Sequence, residues 1–561
     1  MGKITLKQAA AWCGGVIDPK YADVEFLGAS NDTRIIQPGQ LFLALKGARD
    51  GHDFIPMALE KGAAAVLCER CEGDYPAIVV PDTRIALGKI ANGERRRIGM
   101  KVVGITGSVG KSTTKEMIST VLESSYRTAK TPANHNNDIG MPMAILSMPA
   151  DTQVAVLEMG MNHFREMAYL SAIGQPDIAV IVNIGTMHIE HLGTQEGILQ
   201  AKLEILEGME ADAPVLLNGD DKYLKTASCG VHPVTYFGVG DNCAVRGIDP
   251  EISTGCVSFR VKAADRKLFI ELPVEGEHFV CDALAAVTVG LKLGVEPVKI
   301  QESLANFRNM AGRQEIYEKD GFTIISDCYN AGPESMAAAL KVLGRQTGRK
   351  IAVLGDMLEL GVCTQAEHYR VGRIAAEQAD YLLAYGPNGA RMEKGAITGG
   401  MVDGKARSYT DRKELVLALK RLARPGDVLL FKGSRACTWS WHWNSFSVTR
   451  NKGRVTQNDE CDPCHRGGFC PDSGSGTVPD PRSAGAEGRP GHPGGRPHLA
   501  QFQGRHPHHG RPDVHGSRSR VCGGLRLCRY EKRRFFRIVC PAACPVLRPG
   551  GLSGRLLQGQ V

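Results

Sequence analysis

The stretch GITGSVGKSTTKEM, residues 104–117, decides how the middle of this chain folds. An apolar, β-branched run (KVVGIT) enters a Gly-Ser-Val-Gly-Lys-Ser-Thr turn, and a helix-forming segment leaves it. Small residues let backbone N–H groups close on phosphate oxygens, the helix start adds partial positive charge, and one lysine reaches the terminal phosphates. The strict P-loop spelling places a glycine where Ile105 stands, and Gly107 takes up the turn instead. Gly107, Ser108, Val109, Gly110, Lys111, Ser112 and Thr113 are therefore the expected ATP cradle, with a hydroxyl at the helix start available to Mg²⁺.

Around this stretch the bulk properties set bounds. A chain of 561 residues is too long for one core. The first residues, MGKITLKQAAAWCGG, lack the apolar region of a signal peptide, and no apolar run reaches bilayer length. A cytoplasmic protein without membrane association is expected. The whole chain carries +8, but residues from Ala436 onward carry a net +11, which leaves −3 on residues 1–435. That mild acidity argues against a nucleic-acid binder, and the scattered cysteines suit a reducing compartment.

Short apolar runs alternate with amphipathic stretches: VVGIT, VAVLEMG, DIAVIVNIG, PVLLNGD, FTIISD, KIAVLGD, YLLAYG and DVLLFKG. This pattern predicts an α/β fold built on parallel sheets. Polar residues follow the strands: Ser108 and Lys111, Glu158, Asn183 and His188, Asp220, Asp327 and Asn330, and Asp356. Ligands of open α/β sheets bind at those carboxyl ends. Four blocks are expected. Residues 1–97 form an N-terminal domain ending in the charged link NGERRRIG, 98–312 a central ATP-binding domain, and 313–435 a C-terminal domain with its own α/β pattern. Residues 436–561 form a tail of different composition.

On the residues alone, Glu158 reads first as a solvated loop acid and second as a carboxylate placed after a buried strand to hold Mg²⁺. His188 is placed for a metal or a phosphate, or as a satisfied polar histidine. Lys202, within EGILQAKLEILEGM, reads as a surface lysine.

Six segments occur in order: TGSVGKSTTKEM, TPANHNNDIGMP, LEMGMNHFREM, NIGTMHIEHLGTQEGILQAKLEI, GEHFVCDALAA and SDCYNAGPESM. Together they resemble the Mur ligases over essentially all of residues 1–435. DCYNAGPESM and VLGDMLELG resemble the branch that adds a dipeptide, and the His-Asn-Pro and D-N-P-R signatures of the branch adding the third residue are absent. SNDTR, with Ser30, Thr33 and Arg34, is similar to the family's uridine-nucleotide-binding region.

The resemblance implies three domains: one for the UDP substrate, a central P-loop ATPase domain, and a Rossmann-like C-terminal ligase domain. It implies an ATP-dependent peptide ligase of peptidoglycan precursor synthesis, joining D-alanyl-D-alanine to UDP-N-acetylmuramoyl-tripeptide through an acyl phosphate, as a monomer. Lys202 falls on the family's lysine carbamylated by CO₂. With His188 it would hold a second Mg²⁺, the first lying on Ser112, Thr113 and Glu158. Asn136 and Asn137 fall in the family's asparagine stretch. His278 and Asp282 fall near the nucleotide base, with Asp282 where many relatives carry Asn. Arg313 and Asp327 fall on γ-phosphate and ribose contacts. Asn330 lies in a substrate motif whose second Asn is Gly332 here. Lys111, Lys202 and His188 are thus the expected catalytic residues. The rival readings are a folylpolyglutamate synthetase-type ligase and a P-loop kinase or regulatory NTPase.

The tail holds 17 of its 19 basic residues as Arg, and 8 of the chain's 17 cysteines. Cys461, Cys464, His465 and Cys470 lack the second ligand pair of a zinc knuckle. Reading degenerate codons for ACTWSWHWN two nucleotides along permits Met-His-Met-Val-Leu-Ala-Leu-Glu, the amphipathic closing helix that the resemblance implies. A one-nucleotide offset at RPHLAQFQGRHPHHGRPDVHG permits a sequence similar to the start of a phospho-MurNAc-pentapeptide transferase. The expectation is a frame-shifted, disordered tail after position 435.

Overall fold

A computed structural model describes residues 2–434 of the 561-residue chain. The tail readings above lie outside the described residues.

The P-loop strand, Lys101–Thr106, sits inside a nine-stranded sheet. Its neighbours are Ile178–Ile181 on one side and Val154–Glu158 on the other, both parallel. Val102 to Thr106 and every residue of the two neighbours are buried, which explains why these segments read as continuous apolar runs. Thr128–Lys130 lies beyond Val154–Glu158, while Val215–Asn218, Val234–Gly238 and Val245–Ser253 extend the other side. The chain's order reverses at the P-loop strand, and an open parallel sheet leaves its ligand crevice at such a point. Two antiparallel strands, Cys256–Ala263 and Arg266–Leu272, complete the sheet. They show alternating burial, the signature of strands with one solvated face, and so carry no continuous apolar run in the sequence.

The N-terminal region builds a four-stranded parallel sheet from Ala29–Ser30, Leu41–Leu43, Ala65–Cys68 and Ala77–Val79. The C-terminal region builds a six-stranded sheet in the order Glu315–Lys319, Phe322–Asp327, Val428–Lys432, Lys350–Gly355, Tyr381–Tyr385, Ala406–Tyr409. Only its first pair is antiparallel. Apolar clusters cover both faces, one around Leu340 and Leu354, the other around Leu415 and Leu429. The eight apolar runs read as strands in the sequence all form strands. Among the described residues, no helix is long and apolar enough to cross a membrane.

The segment expected as a charged link is instead the second half of a helix, Thr83–Ile98, capped by Asp82 and ended by Gly99 at φ 71°. Its charges are docking groups rather than linker residues. Asn92 donates to Ala172 O and Ile173 O, and Arg95 to Gly174 O and Gln175 O, tying the helix to the central domain. Glu94 is buried and accepts two hydrogen bonds from Arg97.

Glycines let this helix approach both sides closely. A Cβ at Gly88 would lie 2.5 Å from the Tyr169 hydroxyl, and one at Gly93 would lie 2.3 Å from the Trp12 ring. Alanine in place of a helical glycine gains about 1 kcal/mol of propensity, but overpacking a rigid ring costs about 1–3 kcal/mol. Gly93→Ala should therefore lower stability by roughly 1 kcal/mol, within a net range of about 0–2, read as a lower urea midpoint. An unchanged or raised midpoint would show that Trp12 moves aside freely.

Candidate active site

The loop between strand and helix is pinned from the next strand. Asn183, just past Ile178–Ile181, accepts from Ser108 N–H and Val109 N–H through Oδ1 at 3.0 and 2.9 Å, and donates Nδ2 to Val109 O at 2.9 Å. Gly110 adopts φ 84°, and no side chain caps the helix that begins at Lys111. Its first N–H groups therefore face outward as an anion site. Lys111 bends back to Gly107 O at 2.7 Å and Ser108 O at 3.3 Å. Burial pushes its ammonium below the usual lysine range, against the pull of Glu158.

Glu158 closes the neighbouring strand and is only 2% exposed. Its Oε1 accepts from Asn136 Nδ2 at 2.9 Å, and its backbone N–H donates to Thr131 Oγ1 at 2.9 Å. Lys115, fully buried, holds its Nζ on Thr131 O and stands 3.8 Å from Glu158 Oε2. Asn137 caps the backbone of Gly140.

Beneath the loop, Asp282 accepts from Thr114 Oγ1 at 2.8 Å. A Cβ at Gly110 would stand 2.9 Å from its Oδ1. Burial pushes this carboxyl up to about 7, only partly offset by the Thr114 hydroxyl. His278 begins the same helix, packs on Phe279 and lines the cavity.

The C-terminal domain supplies the opposite wall. Arg313 lies over the Tyr329 ring at 3.8 Å and donates Nη2 to Ser112 Oγ at 2.9 Å. Lys432, buried, pairs with Asp327 at 2.6 Å and reaches Asn330 O at 3.2 Å. Glu334 accepts from both N–H and Oγ1 of Thr186 at 3.0 Å. A Cβ at Gly332 would lie 2.8 Å from Met187 Cγ, so the glycine lets this domain approach the loop before His188. His188 itself bonds Glu359 through Nδ1 at 2.5 Å. Burial holds its imidazole below the usual histidine range, against that bond, and the bond holds Glu359 below the usual carboxylate range.

Lys202 is 2% exposed, so the surface-lysine reading fails. Burial, and then the charge of Lys111, push its amine well below the usual lysine range. Ser30, Thr33 and Arg34 gather elsewhere, at and just after the end of the strand Ala29–Ser30. Ser30 Oγ accepts from Asp32 N–H at 3.2 Å, Arg34 pairs with Asp32, and Lys61 donates to Thr33 O. They do not line the P-loop cavity.

That cavity has a volume of about 560 Å³, within the usual range for a ligand site. Among the described residues, the buried side-chain polar atoms without a hydrogen-bond partner are Thr106 Oγ1, Ser108 Oγ, Glu158 Oε2, Arg313 Nε and Glu334 Oε2. All five belong to the cavity wall or to the strand end beneath it. Buried polar atoms are normally satisfied, so their concentration here marks a place built for a charged ligand. Glu158 and the Ser112 and Thr113 hydroxyls line this one cavity, and they are oxygen donors of the kind that Mg²⁺ takes. Among the described residues, no group of three or more His, Cys, Asp and Glu side chains is placed to hold a metal ion by itself.

Asn183, Thr114, Lys115, Glu334, Tyr329, Glu359 and Lys432 are participants that the sequence did not nominate as site residues. Asn183 carried a signal as a polar residue at a strand end. The others are polar residues within helices, loops or a strand whose meeting depends on packing.

Residues 25–95 match the Mur ligase family catalytic domain, 105–290 the Mur ligase middle domain, and 312–435 the glutamate ligase domain. The UDP-N-acetylmuramoyl-tripeptide–D-alanyl-D-alanine ligase of Bacillus subtilis is 39% identical over 446 residues, covering 78% of this chain and 96% of the relative. A crystal structure of MurF from Acinetobacter baumannii matches with a TM-score of 0.74 at 32% identity, over 79% of this chain and 99% of that one. MurF ligase from Thermotoga maritima, in complex with ADP, matches with a TM-score of 0.67 at 29% identity, over 75% of this chain and 97% of that one. With its P-loop, its three domains and this span of similarity, the chain belongs to the Mur ligase family of ATP-dependent ligases.

Proposed function

We propose that this chain joins D-alanyl-D-alanine to UDP-N-acetylmuramoyl-tripeptide at the expense of ATP, in the cytoplasm, as a step of peptidoglycan precursor synthesis. The observation that carries the reading is the convergence on one P-loop of polar atoms from two domains that lack a hydrogen-bond partner. Glu158 Oε2 and Ser108 Oγ come from the central domain, and Arg313 Nε and Glu334 Oε2 from the C-terminal domain. A nucleotide alone needs the first domain, whereas a ligase must bring a second substrate to the same point.

A carboxylate is a poor electrophile, so the reaction needs activation. A tripeptide carboxylate oxygen attacks the γ-phosphorus, the bond from that phosphorus to the β–γ bridging oxygen breaks, and ADP leaves. The dipeptide amine, having lost a proton, attacks the acyl carbon. The C–O bond to phosphate then breaks from the tetrahedral intermediate, giving the amide and inorganic phosphate. In this reading the helix-start amides and Lys111 hold the β- and γ-phosphates, and Arg313 bears on the γ-phosphate from the other domain. Asp327, Asn330 and Lys432 form the wall toward the ribose and the incoming substrate. Ser30, Thr33 and Arg34 hold the uridine nucleotide.

Ser112, Thr113 and Glu158 would hold one Mg²⁺, with His188 and carbamylated Lys202 at a second, and the ions would supply charge neutralisation on the phosphates. Burial pushes the Lys202 amine well below the usual lysine range, the direction that favours carbamylation. Its Nζ lone pair adds to the carbon of CO₂ and the nitrogen loses one proton, leaving an anionic oxygen ligand. Closing the domains would keep water from the acyl phosphate.

Coupled measurement of ADP release tests the reading. ADP should accumulate when tripeptide nucleotide and D-alanyl-D-alanine are both present, and fall to background when either is omitted. Release independent of the dipeptide would favour a plain NTPase, and turnover on folate with glutamate the folylpolyglutamate-type rival.

Two substitutions probe the assignments. Lys111→Ala removes a fixed charge felt in the phosphoryl-transfer transition state and should lower kcat by ~10²-fold or more. Binding of the UDP substrate, measured by calorimetry, should survive, and near-normal turnover would overturn the P-loop role. Lys202→Ala should lose activity and regain part of it with added short carboxylates standing in for the carbamate. A fully active alanine variant would remove Lys202 from the site.

A further inference from the structure

The contact between His188 and Glu359 joins two domains through two strained residues. Among the described residues only nine other than glycine have positive φ, and both members of this pair are among them, His188 at 65° and Glu359 at 62°. Such a conformation is disfavoured for side-chain-bearing residues and persists where surrounding contacts hold it. Here they do. Glu190 N–H lies 3.4 Å from Glu359 O, and a Cβ at Gly361 would stand 3.1 Å from Glu190 Cα. The turn after the C-terminal strand Lys350–Gly355 is thus seated on the short helix Ile189–Leu192 that follows His188.

The bond has a chemical consequence. An ionised carboxylate only accepts, so Nδ1 of His188 carries the proton and donates to Glu359 Oε2 at 2.5 Å. The lone pair then sits on Nε2. A carboxylate behind a ligating imidazole fixes both its tautomer and its ring orientation. His188 lines the P-loop cavity together with Lys111 and Glu158. Glu359 approaches from the other domain and is not part of the cavity wall.

We propose that Glu359 is a positioning residue that orients His188 as a cation ligand, so that the second metal position is completed only when the C-terminal domain is docked. The inference rests on the ligase reading above and on the second Mg²⁺ position which that reading assigns to His188. It gives the domain expected to bring the dipeptide a direct hold on the metal chemistry. An enzyme with that domain swung away would lack an oriented His188, and the futile loss of ATP would be restrained.

The test uses the full chain with a non-hydrolysable ATP analogue and Mn²⁺ followed by electron paramagnetic resonance. Wild type should bind two ions. Glu359→Ala should weaken the second by about 10–100-fold, as loss of a carboxylate behind a ligand does, and leave the first unchanged. Glu359→Gln keeps a carbonyl acceptor for the Nδ1 proton and should stay within a few-fold of wild type. In ¹⁵N-histidine spectra, with His188 identified by its loss in His188→Gln, wild type should show the Nδ1–H tautomer and Glu359→Ala should shift toward Nε2–H. A single ion in wild type, equal Mn²⁺ affinity in Glu359→Ala, an Nε2–H tautomer in wild type, or a Gln variant as weak as the alanine would each overturn the proposal. The last would mean that the carboxylate charge itself matters. None of these readouts needs the tripeptide or the dipeptide, so a failure of the ligase reading would be seen separately, in the ADP assay.

Discussion

A phosphate-binding turn has to keep N–H donors free for an anion while the strand and helix on either side of it are buried. The Gly107–Gly110 turn meets this constraint by borrowing its rigidity from a neighbour. Asn183 takes the Ser108 and Val109 amides and returns a bond to Val109 O, so the turn is held without using the donors at the start of the Lys111 helix. Everything else at the site is arranged around that fixed turn. Glu158 lies beside it because Ile105 and Glu158 are register partners in the sheet, and Ser112 and Thr113 because they open the helix.

The C-terminal domain meets this turn through polar contacts rather than a greasy seam. Arg313 reaches Ser112, Glu334 reaches Thr186, and Glu359 reaches His188. Contacts of this kind are broken and remade with less loss than a packed apolar interface, because water replaces each partner when the domains part. They suit an enzyme that must admit three substrates and then exclude water. Two of the three, at Ser112 and His188, also touch a group expected to handle phosphate or metal, so docking and chemistry share atoms there.

Two departures from the family's pattern are absorbed locally. Asp282, at a position where the resemblance implies Asn, is buried with the Thr114 hydroxyl as its partner, and burial favours its uncharged form. A neutral carboxyl keeps a donor and an acceptor, so it approximates an amide's hydrogen-bonding pattern. Gly332, in place of the motif's second Asn, leaves room for Met187. The neighbouring helix Pro333–Arg345 still begins there, with Pro at its first turn and Glu334 aimed at Thr186.

The sequence by itself determined the parallel strands, the P-loop and the polar residues at strand ends. Those features are written in local periodicity and in turn chemistry, which need no distant partner. It also carried enough ordered motifs to point to the family. Local logic failed where burial depends on distant chain. Lys202 read as a surface lysine and is buried near Lys111, and NGERRRIG read as a linker and is helix. The strands at 256–272 alternate rather than run apolar because one face stays wet. Only the tertiary structure decided that Asn183 steadies the turn, that Lys115 lies under Glu158, and that Glu359 meets His188 from 171 residues away. The physical reason is that such groups become functional through the field and the partners that packing gives them, and neither is encoded in the residues immediately beside them.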